Sequence, residues 1–111
     1  MSEIVPRQHT RVAVKIGASF FTDEGDVDGQ VIDLGLGGLA VLTDKAFEIE
    51  DTTLLSITIT LSNGKSNTLL ISARLAYVNT TPEGVVSGLK FEALTSGERD
   101  FLNSYISEHA A

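Results

Sequence analysis

A two-residue alternation of apolar and polar side chains constrains the fold of this 111-residue chain more than any other feature. It is clearest where Leu55, Ile57, Ile59 and Leu61 alternate with serine and threonine. This period places successive side chains on opposite faces of a β-strand, so that one face is buried and the other meets solvent. The pattern therefore predicts an all-β protein.

Six segments of the chain have the character of strands. Most are separated by short stretches rich in glycine, asparagine or proline, which are typical of turns. In the fifth strand, alternation places Tyr77 with the inward-facing side chains and Arg74 on the outer face. The Asn63-Gly64 pair before that strand predicts a two-residue type I′ hairpin turn. Loops are predicted at residues 22–29 and 44–51. The predicted strands are residues 11–20, 27–34 or 31–34, 39–43, 55–62, 67–78 and 85–92.

The period changes to that of a helix at the end of the chain. Phe101, Leu102, Tyr105 and Ile106 form one apolar stripe at helical spacing, and residues 95–98 fit the capping box that begins a helix. Six strands joined mostly by short turns favour an antiparallel sheet that closes into a six-stranded barrel. The helix is expected to bury its stripe against the open end or the flank of that barrel.

Length and composition indicate one domain of ordinary globular character. We interpret residues 1–10 as a flexible arm and residues 11–111 as the domain, because regular alternation begins at Arg11. With no cysteine, the chain can form neither a disulfide nor a thiolate metal site. No leader pattern or membrane-length apolar run is present. We therefore expect a soluble, unprocessed cytoplasmic protein without membrane insertion.

The net charge of −7 is unevenly distributed. Residues 1–19 contain Arg7, Arg11 and Lys15 against Glu3 alone, whereas the rest of the chain is strongly acidic. A general DNA or RNA binder needs clustered lysine and arginine along the phosphate backbone, so this class is excluded. A locally positive segment in an acidic protein can still hold a small anion.

The residues that commonly perform catalysis form no recognisable set. His9 and His109 are the two histidines, and neither stands at metal-ligand spacing from other ligating residues. No serine lies in a nucleophile elbow, and no phosphate-loop or dinucleotide-binding glycine motif is present. We therefore predict a protein that is not an enzyme and has no metal or cofactor.

A glycine-rich stretch and an arginine pair remain as candidate site residues. Residues 33–38 read Asp-Leu-Gly-Leu-Gly-Gly, which fits either a sharp bend or close approach of a ligand to the main chain. Arg7 and Arg11 form an R-x-x-x-R pair. Such a pair fits either two surface arginines or two planar guanidinium groups that bind phosphate and guanine.

Together these motifs resemble the PilZ domain family, whose pattern is R-x-x-x-R followed by [D/N]-x-S-x-x-G. Residues 7–11 stand just before the first strand, and residues 33–38 end the second, about twenty residues later. Residues 72–77, 88–91 and 98–106 are similar to the middle strand, the last strand and the closing helix of the family. The resemblance extends over essentially the whole chain.

The resemblance implies a six-stranded barrel with a terminal helix that acts as a receptor for the bacterial second messenger cyclic di-GMP. It implies that Arg7 and Arg11 bind phosphates and guanine edges, that Asp33 accepts hydrogen bonds from guanine, and that Gly38 permits close approach. Family members often bind a self-stacked ligand dimer. The arm is expected to order over the ligand and relay binding to a downstream protein. Gln8 and His9 are secondary candidates.

One position departs from the family pattern, because Gly35 stands where the motif has serine. A missing hydroxyl removes one hydrogen bond, worth about 0.5–1.5 kcal/mol. Backbone N–H groups around Gly35 can take its place, so Gly35 stays among the predicted ligand-binding residues. The alternative function is a ligand-independent adaptor that acts by protein–protein contact. Arg74 fits either a surface ion pair or a ligand contact.

Overall fold

The computed structural model describes residues 11–22, 25–44 and 52–109 as six strands and one helix. The second strand begins before either predicted start, inside the expected loop of residues 22–29, and the expected loop of residues 44–51 lies outside the described residues apart from Asp44. The elements are β1 (Arg11–Thr22), β2 (Gly25–Gly35), β3 (Gly38–Thr43), β4 (Thr53–Thr60), β5 (Ser66–Thr81), β6 (Gly84–Phe91) and α1 (Ser96–His109).

The strands form a closed antiparallel barrel in the order β1-β2-β3-β6-β5-β4. Closure occurs where β1 pairs with β4 on one side while it pairs with β2 on the other. Because each strand has a neighbour on both sides, the ladders satisfy backbone groups that an open sheet would expose at its edges. The predicted six-stranded barrel is confirmed.

The inward-facing side chains predicted from the alternation make the core. In β4 every second residue is buried, as the sequence pattern requires. Phe20, Leu34, Leu39, Leu55 and Ile57 are among the largest side chains that are fully buried. Burial of a side chain of this size contributes about 1.5–3 kcal/mol each, so the barrel interior is the main source of stability.

The predicted capping box begins α1. The Thr95 N–H donates to Glu98 Oε1 at 2.9 Å, and the Glu98 N–H donates back to Thr95 Oγ1 at 3.1 Å. The helix then buries Leu102, Tyr105 and Ile106 against the barrel core. With 14 residues, α1 is shorter than a membrane span, and no other helix occurs in the described ranges.

The far end of α1 is tied to the turn between β4 and β5. The Ser62 N–H and Ser62 Oγ both donate to the Glu108 carboxylate, at 3.0 and 2.9 Å. Burial raises the pKa of the Tyr105 hydroxyl, and the Glu108 carboxylate raises it further. The helix is therefore fixed to the barrel through its apolar stripe and through Glu108.

The predicted type I′ turn at Asn63-Gly64 is wrong. Asn63 keeps a negative φ, whereas Gly64 has a φ of 90°. The Gly64 N–H donates to the Leu61 carbonyl at 2.9 Å, and the Leu61 N–H donates to the Lys65 carbonyl at 2.8 Å. This is a three-residue loop, a type I turn followed by a left-handed glycine. The Asn63 Oδ1 atom accepts the Lys65 N–H at 2.9 Å and stabilises this alternative.

The inward orientation predicted for Tyr77 is also wrong. Leu75 pairs with Leu89, and Tyr77 pairs with Gly88, the residue adjacent to Leu89. The two steps along β5 match only one step along β6, so Ala76 is an extra, unpaired residue that forms a bulge. Such a bulge changes the face to which the following side chains point. Tyr77 is consequently 47% exposed on the outer surface.

Two glycines allow elements of this region to lie unusually close together. A Cβ at Gly38 would overlap the carbonyl oxygen of Leu89 on β6, and a Cβ at Gly88 would overlap the ring of Tyr77. Any larger residue at Gly38 would therefore push β3 away from β6, because backbone atoms cannot move aside as a flexible side chain can.

We expect Gly38→Ala to destabilise the fold by about 1–3 kcal/mol, since the added methyl group meets backbone. Gly97→Ala is the matched control: its Cβ meets Thr95 Oγ1 only at 4.0 Å, and the substitution should stabilise α1 by up to about 1 kcal/mol. Urea unfolding of both variants measures the difference. Equal stability of Gly38→Ala and the wild type would contradict the close approach of β3 and β6.

Candidate functional site

A cleft of about 500 Å³ opens on the outer surface of the barrel. It lies where the start of β1, the end of β2, the start of β3 and the middle of the β5–β6 hairpin come together. Among the residues that line it are Arg11, Asp33, Gly38, Tyr77, Gly88 and Lys90.

The strand register arranges cations and glycines in one row across this surface. Arg11 faces Gly35 across the β1–β2 ladder, and Gly38 faces Lys90 across the β3–β6 ladder. Leu34 and Leu39 are the last pair of the β2–β3 ladder, so Gly35 and Gly38 are the next residues of the two strands beyond it; Lys90 faces Arg74 on its other side. Half of the lysine and arginine residues in the described ranges therefore lie in one row, with two glycines between Arg11 and Lys90.

Arg11 and Asp33 form an ion pair at the edge of the cleft. Asp33 pairs with Ala13, two residues from Arg11, so the two charged residues are diagonal neighbours on one face. Arg11 Nε donates to Asp33 Oδ2 at 2.9 Å, and both side chains are half-buried. Within the described ranges, the other guanidinium nitrogens and Asp33 Oδ1 have no side-chain hydrogen-bond partner, so they are available to a ligand.

The pair orients Arg11 more than it stabilises the fold. Both side chains remain accessible to water, and pairs of this kind contribute about 0–1 kcal/mol. Because Asp33 accepts a hydrogen bond from Nε, both terminal nitrogens of Arg11 keep hydrogen-bond donors for a ligand in the cleft.

Tyr77 and Lys90 also line the cleft, and neither was among the site residues predicted from the sequence. The Tyr77 ring lies directly on Gly88 and leaves part of its surface exposed in the cleft. The outward orientation of the Tyr77 ring depends on the β5 bulge, which no local sequence pattern predicts. Lys90 was within reach of prediction, because it alternates with the buried Leu89 and Phe91 and so had to face outward.

Three of the predicted site residues, Arg7, Gln8 and His9, lie outside the described residues. Their roles stay predictions. Of the described candidates, Arg11 and Asp33 are in direct contact with each other and both line the cleft.

The remaining candidates have different environments. Gly35 is buried opposite Arg11 and does not itself line the cleft. Gly38 lines the cleft, and its missing side chain accommodates Leu89 of β6. Arg74 lies outside the cleft lining and donates through Nη2 to Glu92 Oε2 at 3.1 Å, as a surface ion pair would.

The chemistry of the cleft suits the binding of an anion with planar, hydrogen-bonding parts. Its cations are Arg11 and Lys90, its acceptor is Asp33, and its aromatic surface is Tyr77. No group of three or more histidine, aspartate or glutamate side chains that could hold a metal occurs in the described part of the chain.

Solved structures with the same fold include several PilZ proteins. The Bacillus subtilis inhibitor of motility MotI/DgrA is 16% identical with a TM-score of 0.84; the match covers 95% of this chain but 51% of that protein, so this chain spans about half its length. The PilZ domain of Escherichia coli YcgR with c-di-GMP is 13% identical with a TM-score of 0.73, covering 93% of this chain and 90% of that domain.

A third similar structure is the PilZ domain of CeSA from a cellulose-synthesizing bacterium, at 17% identity and a TM-score of 0.60, with 89% and 96% of the two chains covered. At such identities the likeness shows the fold alone. Comparison with curated protein sequences gave no significant match. The PilZ domain family model matches residues 6–108. This chain therefore belongs to the PilZ domain family.

Proposed function

We propose that this PilZ domain is a non-catalytic receptor that binds cyclic di-GMP in the cleft. The observation that carries the proposal is the Arg11–Asp33 pair, which presents an arginine edge and a carboxylate oxygen to the same space. Cyclic di-GMP combines two phosphates with two guanines, and these groups match that donor and that acceptor. The similar E. coli PilZ domain with c-di-GMP supports the choice of ligand.

Arg11 and Asp33 would recognise different parts of the ligand. The free guanidinium nitrogens of Arg11 can donate to a phosphate or to the O6/N7 edge of guanine. Asp33 Oδ1 can accept from the N1 and N2 groups of guanine while Oδ2 remains bound to Arg11. Binding would therefore use the existing ion pair and would not need to break it.

Lys90 and Tyr77 extend the proposed site across the barrel. Lys90 supplies a second positive charge on the far side of the two glycines, within reach of a second phosphate. Tyr77 offers exposed ring surface to the cleft, and aromatic rings bind bases by stacking. Gly35 and Gly38 place no side chain between the two cations, which leaves room for the ligand.

We extend the proposal to Arg7 and to a downstream protein. Arg7 would bind the ligand from the N-terminal segment, with Gln8 and His9 beside it, and so hold residues 1–10 over the cleft. The resulting change of surface would be read by a partner protein, which is a common form of ligand switching.

Gly35 favours a second candidate, a PilZ adaptor that acts by protein contact without the ligand. The motif serine is absent at this position, so one ligand hydrogen bond is missing. A titration with cyclic di-GMP separates the two candidates, because the adaptor shows no binding at any accessible concentration.

We expect cyclic di-GMP to bind the wild-type protein in isothermal titration calorimetry and Arg11→Ala to weaken binding about 10- to 150-fold. This range corresponds to the loss of about 1.5–3 kcal/mol for hydrogen bonds to a charged group. Arg99→Ala, which removes an exposed arginine from α1, is the matched control and should bind normally. Absence of binding by the folded wild type at high micromolar ligand would refute the receptor.

Restoring the motif serine with Gly35→Ser should tighten cyclic di-GMP binding about 2- to 13-fold, since it returns one hydrogen bond. Gly17→Ser is the control and should give no such gain, because Gly17 lies outside the cleft lining and a Cβ there would meet no atom within 4 Å. Calorimetry on both variants, with thermal unfolding to verify folding, makes the measurement. Unchanged binding by a folded Gly35→Ser variant would show that the backbone already supplies the serine's hydrogen bond, and weaker binding would show that the site does not accommodate a side chain at this position.

A further inference from the structure

Three large apolar side chains are exposed together on the outer face of the barrel, away from the cleft. Phe21 is 41% exposed on β1, Leu54 is 43% exposed on β4, and Leu70 is 55% exposed on β5. Phe21 pairs directly with Leu54, and Leu70 is the diagonal neighbour of Leu54 through its pairing with Ser56. These three residues, the apolar triad, form one continuous patch over three strands.

A polar groove of about 280 Å³ lies next to the apolar triad. On β1 the next outward-facing residue before Phe21 is Ser19, and on β4 the next after Leu54 is Ser56. The two serines pair with each other across β1 and β4. The Ser19 hydroxyl donates to Asp28 Oδ1 at 3.0 Å and so holds that carboxylate at the groove. A Cβ at Gly17 would meet no atom within 4 Å, so Gly17 leaves the groove open without being required by packing.

In the described part of the chain, the charged side chains directly beside the triad and the groove are aspartates. Asp26 pairs with Phe21, and Asp28 pairs with Ser19, so a row of aspartate borders the triad and the groove. Neither the triad nor the residues lining the groove include a cation; Lys15 stands at the next outward position along β1 beyond Gly17. The whole chain has a net charge of −7, which repels nucleic acid and anionic lipid from this side.

We propose that the apolar triad and the adjoining groove form a docking face for a protein segment that carries lysine or arginine beside apolar side chains. The cation would enter the groove and bind Asp28, while the apolar side chains cover Phe21, Leu54 and Leu70. A second copy of this chain is disfavoured, because it would bring the same aspartates close to each other. The proposal does not depend on cyclic di-GMP binding, since the face contains no cleft residue.

The probe for the test is an 18-residue synthetic helix with leucine on one face and lysine on the other. In ¹⁵N-resolved NMR titrations of the full chain, we expect amide shifts centred on Phe21, Leu54 and Leu70 and their groove neighbours. Binding should weaken as salt rises from 50 to 300 mM. The same peptide with glutamate in place of lysine should not bind.

Variants separate the docking face from general acidity. Leu54→Thr with Leu70→Thr should weaken peptide binding at least tenfold, and threonine preserves strand propensity. Val78→Thr is the matched control, since Val78 is 46% exposed near the far end of β5, and it should bind like the wild type. Asp28→Asn removes the charge and keeps an acceptor for Ser19, while Gly17→Gln fills the groove; each should weaken binding several-fold.

Several outcomes would overturn the docking face. These are shifts spread over all acidic surfaces, equal binding by the double threonine variant, or a concentration-dependent dimer in ultracentrifugation that this variant abolishes. If the double threonine variant does not fold, the peptide affinities of Asp28→Asn and Gly17→Gln are the test, and normal binding by both would overturn the docking face. Arg11→Ala should retain peptide binding, so failure of the cyclic di-GMP proposal and failure of the docking face give different results.

Discussion

The approach of β3 to β6 at Gly38 is the constraint on which the candidate site depends. Since Gly38 has no side chain, the Leu89 carbonyl can lie against it, and the Phe91 N–H donates to the Gly37 carbonyl at 2.9 Å just beyond. This contact joins the β1–β2–β3 half of the barrel to the β6–β5–β4 half. Arg11 and Asp33 come from the first half, and Lys90 and Tyr77 come from the second. Without the close approach, the cleft would lose one of its walls.

Strand β1 carries a different surface at each end. Arg11 belongs to the cleft, whereas Phe21 belongs to the proposed docking face, and the ten residue steps from one to the other correspond to about 33 Å at the rise of a strand. A ligand in the cleft and a protein on the docking face would therefore not compete for the same contacts. Any coupling between them would have to pass through β1 or through the barrel it closes.

The sequence was sufficient to predict features that depend on local pattern. The alternation through Leu55, Ile57 and Ile59 determines which side chains are buried, and the Thr95–Glu98 spacing determines where the helix begins. These two predictions succeeded because each rests on residues close in sequence. The resemblance to the PilZ pattern predicts one ligand site for Arg11 and Asp33; that role stays a prediction, and the structure shows the two side chains in contact.

The features that were missed depend on the exact register between paired strands, which the alternation of one strand does not determine. An Asn-Gly pair is compatible with several turn types. In this hairpin the hydrogen bond to the Asn63 side chain and the register of β4 with β5 favour the three-residue loop. The bulge that exposes Tyr77 arises from the match of β5 to β6, where the ring covers Gly88. The alternation in β5 alone predicts that Tyr77 is buried, and only the register of β5 with β6 shows that it faces outward.

The energetic weight of Gly35 is small beside that of the charged groups near it. The missing hydroxyl would contribute about 0.5–1.5 kcal/mol, whereas hydrogen bonds to a charged group contribute about 1.5–3 kcal/mol. Arg11, Asp33 and Lys90 can each offer such bonds in the cleft. In addition, a glycine at this position leaves the row between Arg11 and Lys90 free of side chains. The affinity of the proposed site should therefore be governed by the charged residues that flank Gly35, and its departure from the motif is compatible with a working receptor.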